Sequence, residues 1–295
     1  MPYPGHRCRA ISRIMHRFHV SVALSLAFRP SLAAAHFESD PIVASTIVVN
    51  GSLARGRWEG WGTSLAWWAK AFGDRDDLAD ILFTLDQIDA PTIAGSNPVC
   101  GLGLNIVRYN AGACSWNKVG NVSMVTLGNR KASREMEGFW VDNASDDPAS
   151  PSWNWTVDAS QRNMMFKARD RGAGVFELFS NSPMWWMLRN RNPSGGAEFG
   201  EANLVPGHEP LHAKYLATVV DYAKENWNIT FRSVSPFNEP ALPAWREDSD
   251  TNTQEGCSFG TSSQFAVIKA LRKELQERLL ETDVHVSDEN TIDQG

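Results

Sequence analysis

The most constraining feature of this 295-residue chain is an alternation. Five times, a short apolar segment ends in polar or aromatic residues, and in most cases a longer segment with helical spacing follows. Short strands joined through helices cannot pair as hairpins and need parallel crossovers, so the expected class is α/β. Trp58 to Trp68 reads as a turn and then a strand, Gly101 to Asn110 as the second strand, Val175 to Phe179 as the third, Phe231 to Phe237 as the fourth and Val284 to Glu289 as the fifth. Between them, Asp76 to Ile88 carries Leu78, Ile81, Leu82, Leu85 and Ile88 on one helical face. A second helix is expected from Val157 to Arg171, and a third from Glu209 to Trp227 with Leu211, Tyr215, Leu216, Val219 and Tyr222 inward. A Ser/Thr-x-x-Gln capping box at Thr261 to Gln264 opens the last helix, whose stripe is Phe265, Ile268, Leu271, Leu275 and Leu279.

A doubly wound open sheet would share the alternation, but it binds ligands in one crevice beside a Gly-rich turn, which is missing here. The special residues sit instead at several strand ends, the pattern of a (β/α)8 TIM-type barrel with about five βα units present. On that reading the sequence stops three units short. The strand Phe231 to Phe237 delivers Asn238 and Glu239, and Pro240, lacking an amide proton, is expected to stop it. Glu239 is therefore the first candidate for a catalytic residue. Residues 111 to 156, rich in Ser, Asp, Pro and Trp, read as a polar loop over the rim.

The first 35 residues hold Arg7, Arg9, Arg13, Arg17 and Arg29, no acid, a short apolar run from Val20 to Phe28, and then Ala33 to Ala35. This reads as a secretory signal peptide cleaved after Ala35, with a secreted, extracellular product. Its loss moves the formal charge from −6 to −11, which argues against nucleic acid or an anionic membrane as partner. Unspoiled sequons at Asn121, Asn143, Asn154 and Asn228 suggest a glycoprotein. Cys100, Cys114 and Cys257 remain after cleavage, an odd number, and a Cys100 to Cys114 pair is possible but not demanded. His36, His208, His212 and His285 form no ligand cluster, and His208 and His212 read as solvated surface. No metal, cofactor or phosphate loop is expected, and a monomer is.

Five segments in order, Trp58 to Ala69, Leu104 to Gly112, Ser180 to Trp186, Pro236 to Pro240 and Gln254 to Cys257, resemble fungal endo-β-1,6-galactanases of glycoside hydrolase family 30. The resemblance runs from about Thr46 to the last residue. It implies a barrel with a β-rich side domain, so that 36 to 57 contributes a strand to the side domain and 58 to 295 is a partial catalytic barrel. It also implies a polysaccharide substrate, the β-1,6-galactan side chains of arabinogalactan, with β-1,6-glucan or xylan, or binding without catalysis, as alternatives. Glu239 then matches the general acid/base, Asn238 the neighbour that binds the sugar 2-hydroxyl, and the nucleophile at the end of strand seven has no matching position.

Retaining hydrolysis needs two carboxyl groups roughly 5 Å apart. Arg108 is expected to keep a neighbouring nucleophile ionised, or else to serve a structural ion pair. Asp288 and Glu289 are the other acids noted at a strand end, and they are set aside as substitutes because strand five is not expected beside strand four in the required way. Trp67, Trp68, Trp185 and Trp186 are candidate sugar platforms, with one ring of each pair turned inward by strand alternation. Tyr109, Asn110 and Asn181 are candidate hydrogen-bonding groups.

Overall fold

The computed structural model describes residues 56–89, 97–126, 131–196, 202–242, 244–246, 253–286, 288–291 and 293. The expected signal peptide and the strand from Ile42 to Val49 lie outside the described residues. The chain divides into two compact units, one holding Gly60–Gly295 and one, Arg9–Glu59, of which only 56–59 are described.

Five parallel strands form one sheet: β1 (Gly62–Ser64), β2 (Ile106–Asn110), β3 (Val175–Phe179), β4 (Phe231–Ser235) and β5 (Asp283–Val284). Each pairs with the next in sequence, so their spatial order never reverses. A doubly wound sheet needs such a reversal to open its ligand crevice. The helices are α1 (Trp68–Phe72), α2 (Asp76–Phe83), α3 (Ala159–Asp170), α4 (Glu209–Trp227) and α5 (Thr261–Glu277).

Residues paired across a parallel sheet point to the same face. Ser64, Arg108, Glu177 and Ser233 are register partners in turn and share one face. Tyr109, Leu178 and Val234 share the other and are wholly buried in the core. This alternation separates a polar face of the sheet from an apolar one.

Several boundaries move for local reasons. β4 ends at Ser235 because the next residue, Pro236, already lacks an N–H, so the stop comes four residues before Pro240. Helix α2 ends at Phe83, where Thr84 turns extended and its hydroxyl donates to the Asp80 carbonyl at 2.8 Å. Leu85 is exposed, and Ile88 lies in a short strand paired with Val99. The capping box does not form. Gly260 is the N-cap, Thr261 is already helical, and the Gln264 amide donates to the Phe259 carbonyl at 3.0 Å. Val267, Leu271 and Leu275 are the buried face of α5, while Phe265 and Leu279 stay 69% and 85% exposed.

The largest correction concerns residues 111–156. Among the described residues of this expected polar loop, 111–126 and 131–156, most aromatic side chains are not rim groups but form a belt laid over α4. Met136, Phe139, Trp140 and Trp153 are buried. Trp153 stacks between Trp140 and Trp155 at 5.0 and 5.2 Å, and Trp155 lies flat on Tyr222 of α4 at 3.6 Å. The Tyr215 hydroxyl donates to the Gly112 carbonyl at 2.8 Å and ties the belt to the helix. Covered from two sides, α4 buries Ala213, Ala217, Val220 and Ala223 besides Tyr215, Leu216 and Val219 of the expected stripe, whose Leu211 and Tyr222 are half-buried. His212 is on it and is fully buried, not solvated. Burial lowers its pKa to about 4, and the neutral ring donates from Nε2 to the Pro236 carbonyl at 3.0 Å. Cys114 and Cys257 are buried reduced thiols, so Cys114 does not pair with Cys100.

Candidate active site

Arg108 is the hub of the polar face. From the middle of β2 its Nε donates to Glu177 at 2.9 Å, and both terminal nitrogens reach the Asn238 side-chain oxygen at 3.3 Å. It is also ion-paired with Asp288, and its guanidinium lies 3.5 Å from the centre of the Phe179 ring. Glu177 in turn accepts from the Ser233 hydroxyl at 3.0 Å and faces His285 Nδ1 at 3.1 Å. A planar guanidinium with five donors suits this task, since it serves three acceptors at once. Of the two roles considered for Arg108, the structural ion pair is thus present, and its acid partners are Glu177 and Asp288.

Glu239 follows at the end of the β4 loop with φ +50, a left-handed conformation uncommon for a residue with a side chain. Its backbone is held on both sides. Its N–H donates to the Asp288 carbonyl at 2.7 Å, and its own carbonyl accepts from Leu242 N–H at 2.9 Å and from the Trp245 indole at 2.8 Å. Among the described residues no donor reaches its carboxyl group. Partial burial raises its pKa above the ordinary glutamate value, the charges of Asp288 and Glu289 push the same way, and Arg108 opposes them. This favours the protonated form, as a proton donor requires. Strand β5 lies directly against β4, with Val234 opposite Val284. The adjacency set aside in the sequence therefore exists, and it is what brings Asp288 to Arg108 and to the Glu239 backbone.

A glutamic acid and an asparagine at one strand end, beside an arginine and more carboxylates, invite comparison with sugar-cleaving enzymes. A family model described as "O-Glycosyl hydrolase family 30" matches residues 44–294. The chain belongs to glycoside hydrolase family 30. Within the curated proteins it is 49% identical over 264 residues to an endo-beta-1,6-galactanase of Hypocrea rufa, covering 90% of this chain and 53% of that one. An exo-beta-1,6-galactobiohydrolase of Bifidobacterium longum is 26% identical over 248 residues, covering 67% of this chain and 16% of that one. The chain thus spans about half the length of the first of these relatives or less. In fold, a conserved exported protein of Bacteroides fragilis superposes with a TM-score of 0.63 at 21% identity, over 82% of this chain and 46% of that one. The catalytic domain of a family 30 xylanase C from Talaromyces cellulolyticus gives 0.54 at 18% identity, over 80% and 47%.

For this family 30 chain, the other expected site residues separate by face and depth. Asn238 and Arg108 come together as described. Asn110 is buried, its side-chain oxygen accepting from the Asn181 backbone at 3.3 Å and its amide donating to Glu255 at 3.2 Å. Trp67 and Trp68 are half-buried, and the Trp68 indole donates to the Ser64 carbonyl at 2.7 Å. Tyr109 and Trp185 are corrections. Tyr109 lies on the helix-covered face, wholly buried with its hydroxyl on Asp158, because strand alternation turns it away from Arg108. Trp185 is wholly buried with its indole on Ser115 at 2.6 Å, and Trp186 is nearly so, its indole on the Trp140 carbonyl at 2.8 Å. Neither ring of that pair turns to solvent, since the segment is a 3-10 turn under the belt and not a strand.

Sequence reasoning missed Glu177, though a signal existed. An acid amid Val175-Phe-Glu-Leu-Phe179 falls on the face opposite Phe176 and Leu178. It also passed over Glu255, a fully buried carboxyl that accepts from Asn110, Met136 N–H at 2.9 Å, Ala113 N–H and the Cys114 thiol. Burial still outweighs these donors and raises its pKa to about 7. Burial likewise pushes the Cys257 thiol up to about 12, which keeps it unreactive. Among the described residues no group of three His, Cys, Asp or Glu side chains is placed to hold a metal.

Proposed function

We propose that this chain carries the acid/base half of a secreted retaining glycosidase that cleaves β-1,6-galactan internally. The observation that carries the reading is Glu239, clamped by its backbone at the end of β4, with a carboxyl group that no donor among the described residues reaches and whose pKa is raised. In the first step its proton passes to the glycosidic oxygen as the bond to the anomeric carbon breaks and a nucleophilic carboxylate takes that carbon. In the second, Glu239 removes a proton from the water that releases the sugar. Asn238, fixed by Arg108, faces the 2-hydroxyl and strengthens its contact as charge develops on the ring. The nucleophile that the family likeness puts after strand seven has no counterpart in this sequence.

The identity to the endo-beta-1,6-galactanase supports the choice of galactan. The sequential parallel strands support five units of an eight-stranded barrel. Asn121, Asn143 and Asn228 are exposed and suit glycosylation, and Asn228 ends α4 in a left-handed cap open to solvent. The signal peptide, the side-domain strand in 36–57 and a monomeric product belong to the same reading.

The test is Glu239→Gln in the full-length gene product, assayed on β-1,6-galactan, β-1,6-glucan and xylan. Activity on galactan is expected to drop about 10²–10⁴-fold. Added azide should restore turnover of an activated aryl galactoside and yield a β-galactosyl azide. Unchanged turnover in the variant would remove Glu239 from the mechanism, and a wild-type preference for glucan or xylan would replace the substrate.

A further inference from the structure

The acid/base reading leaves open what holds Glu239 in so unusual a conformation. Its carbonyl accepts the indole N–H of Trp245 at 2.8 Å, from a ring that is only 3% exposed. That ring has a dedicated seat. A Cβ on Gly256 would lie 2.2 Å from Trp245 Cε3, so only glycine allows the ring to lie flat there. On the other side, Gly195 has φ +104, and a Cβ there would come within 2.5 Å of the Trp245 backbone carbon. Both glycines are themselves pinned. Gly256 N–H donates to the Pro193 carbonyl at 2.9 Å, and the Gly195 carbonyl accepts from the Asn203 side-chain amide at 3.0 Å. Glu255, next to Gly256, anchors the same segment through its four donors from 110–136.

We propose that Trp245 is a positioning residue for proton transfer. Seated between Gly195 and Gly256, its indole N–H holds the Glu239 carbonyl and so aims the Glu239 carboxyl group at the leaving oxygen. The inference rests on Glu239 as acid/base and adds the group that orients it. The Trp245 ring is buried and does not touch the sugar. Its contribution falls on the proton transfers made by Glu239, and not on binding or folding in general.

Leaving-group dependence distinguishes that role from plain packing. A sugar leaving group is a very weak acid and must be protonated to depart as the alcohol, whereas an acidic phenol departs as its anion without a proton. In the full-length protein, Trp245→Phe keeps an aromatic ring on Gly256 and deletes the N–H. Its kcat on galactan should fall about tenfold, the worth of one hydrogen bond, with KM unchanged. Its kcat/KM on a dinitrophenyl β-galactobioside, which reports only the first step and needs no proton from Glu239, should match wild type. A benzothienylalanine at position 245, which keeps the bicyclic shape and replaces N–H by sulfur, should behave the same way and covers the case in which phenylalanine packs poorly. Equal losses on both substrates in both variants would reduce Trp245 to a core residue. Glu239→Gln is measured alongside. If it shows no leaving-group selectivity, the acid/base assignment itself fails and this proposal with it; if it does and the position 245 variants do not, only the role of Trp245 is lost.

Discussion

The aromatic belt of 111–156 and the polar face of the sheet solve opposite problems with neighbouring stretches of chain. The belt gathers Phe139, Trp140, Trp153 and Trp155 against Tyr215 and Tyr222, and several of its polar groups end on backbone: the Trp140 indole donates to Ser145 and the Trp155 indole to Pro148. Its stability comes mainly from aromatic area and shape. The polar face holds Arg108, Glu177, Asn238 and Asp288 in one network, with Glu239 next to it, its carboxyl group reached by no donor among the described residues. The belt and sheet meet at Asn110 and Glu255, where a buried carboxyl ties β2 to Ala113, Cys114 and Met136.

If the belt is a structural layer, Trp140→Ala should cost about 3–5 kcal/mol, the usual range for emptying a large aromatic site. Denaturant unfolding of the full-length protein measures it, and the folded fraction should keep its turnover per molecule. A loss of turnover with stability intact would mean that the belt reaches the substrate and the contrast with the sheet is wrong.

The seam between the two regions should make stability depend on pH. Glu255 and Asp158 are buried carboxyls, each raised to about 7 chiefly by burial. Between the ordinary carboxyl range and pH 7 the folded protein keeps protons that the unfolded chain has released. Stability from these groups is therefore full at low pH and lost as pH rises toward 7, by roughly 3 kcal/mol for Glu255 from the size of its shift. Unfolding midpoints from pH 4.5 to 8 should fall more steeply in wild type than in Glu255→Gln. The same slope in both would show that Glu255 does not hold its proton.

The smallest effect belongs within the polar face. Ser233 is one of several donors on Glu177, with Arg108 and His285 beside it. Ser233→Ala should cost about 1 kcal/mol, read as a shift in unfolding midpoint, with galactan turnover kept. A loss as large as that of Trp140→Ala would show that the network has no redundancy and is as tightly coupled as the belt.

The sequence by itself determined what depends on near neighbours along the chain. The α/β class, the five strands, the span of α4 and the strand-end placement of Asn238 and Glu239 all rest on periods of two and 3.6 residues and on a proline's missing N–H. Alternation along β2 even carried the fact that Arg108 and Tyr109 face opposite ways, although both had been expected at the site. What only the tertiary structure decided is what meets across long separations. The partners of Arg108 lie 69, 130 and 180 residues away. Nothing local in residues 111–156 shows that their tryptophans fold onto a helix that begins half a hundred residues later, so their polar composition misleads. Hydrophobic burial and ion pairing are set by which surfaces meet in space, and the same tryptophan or glutamate serves as core, rim or acid according to that meeting.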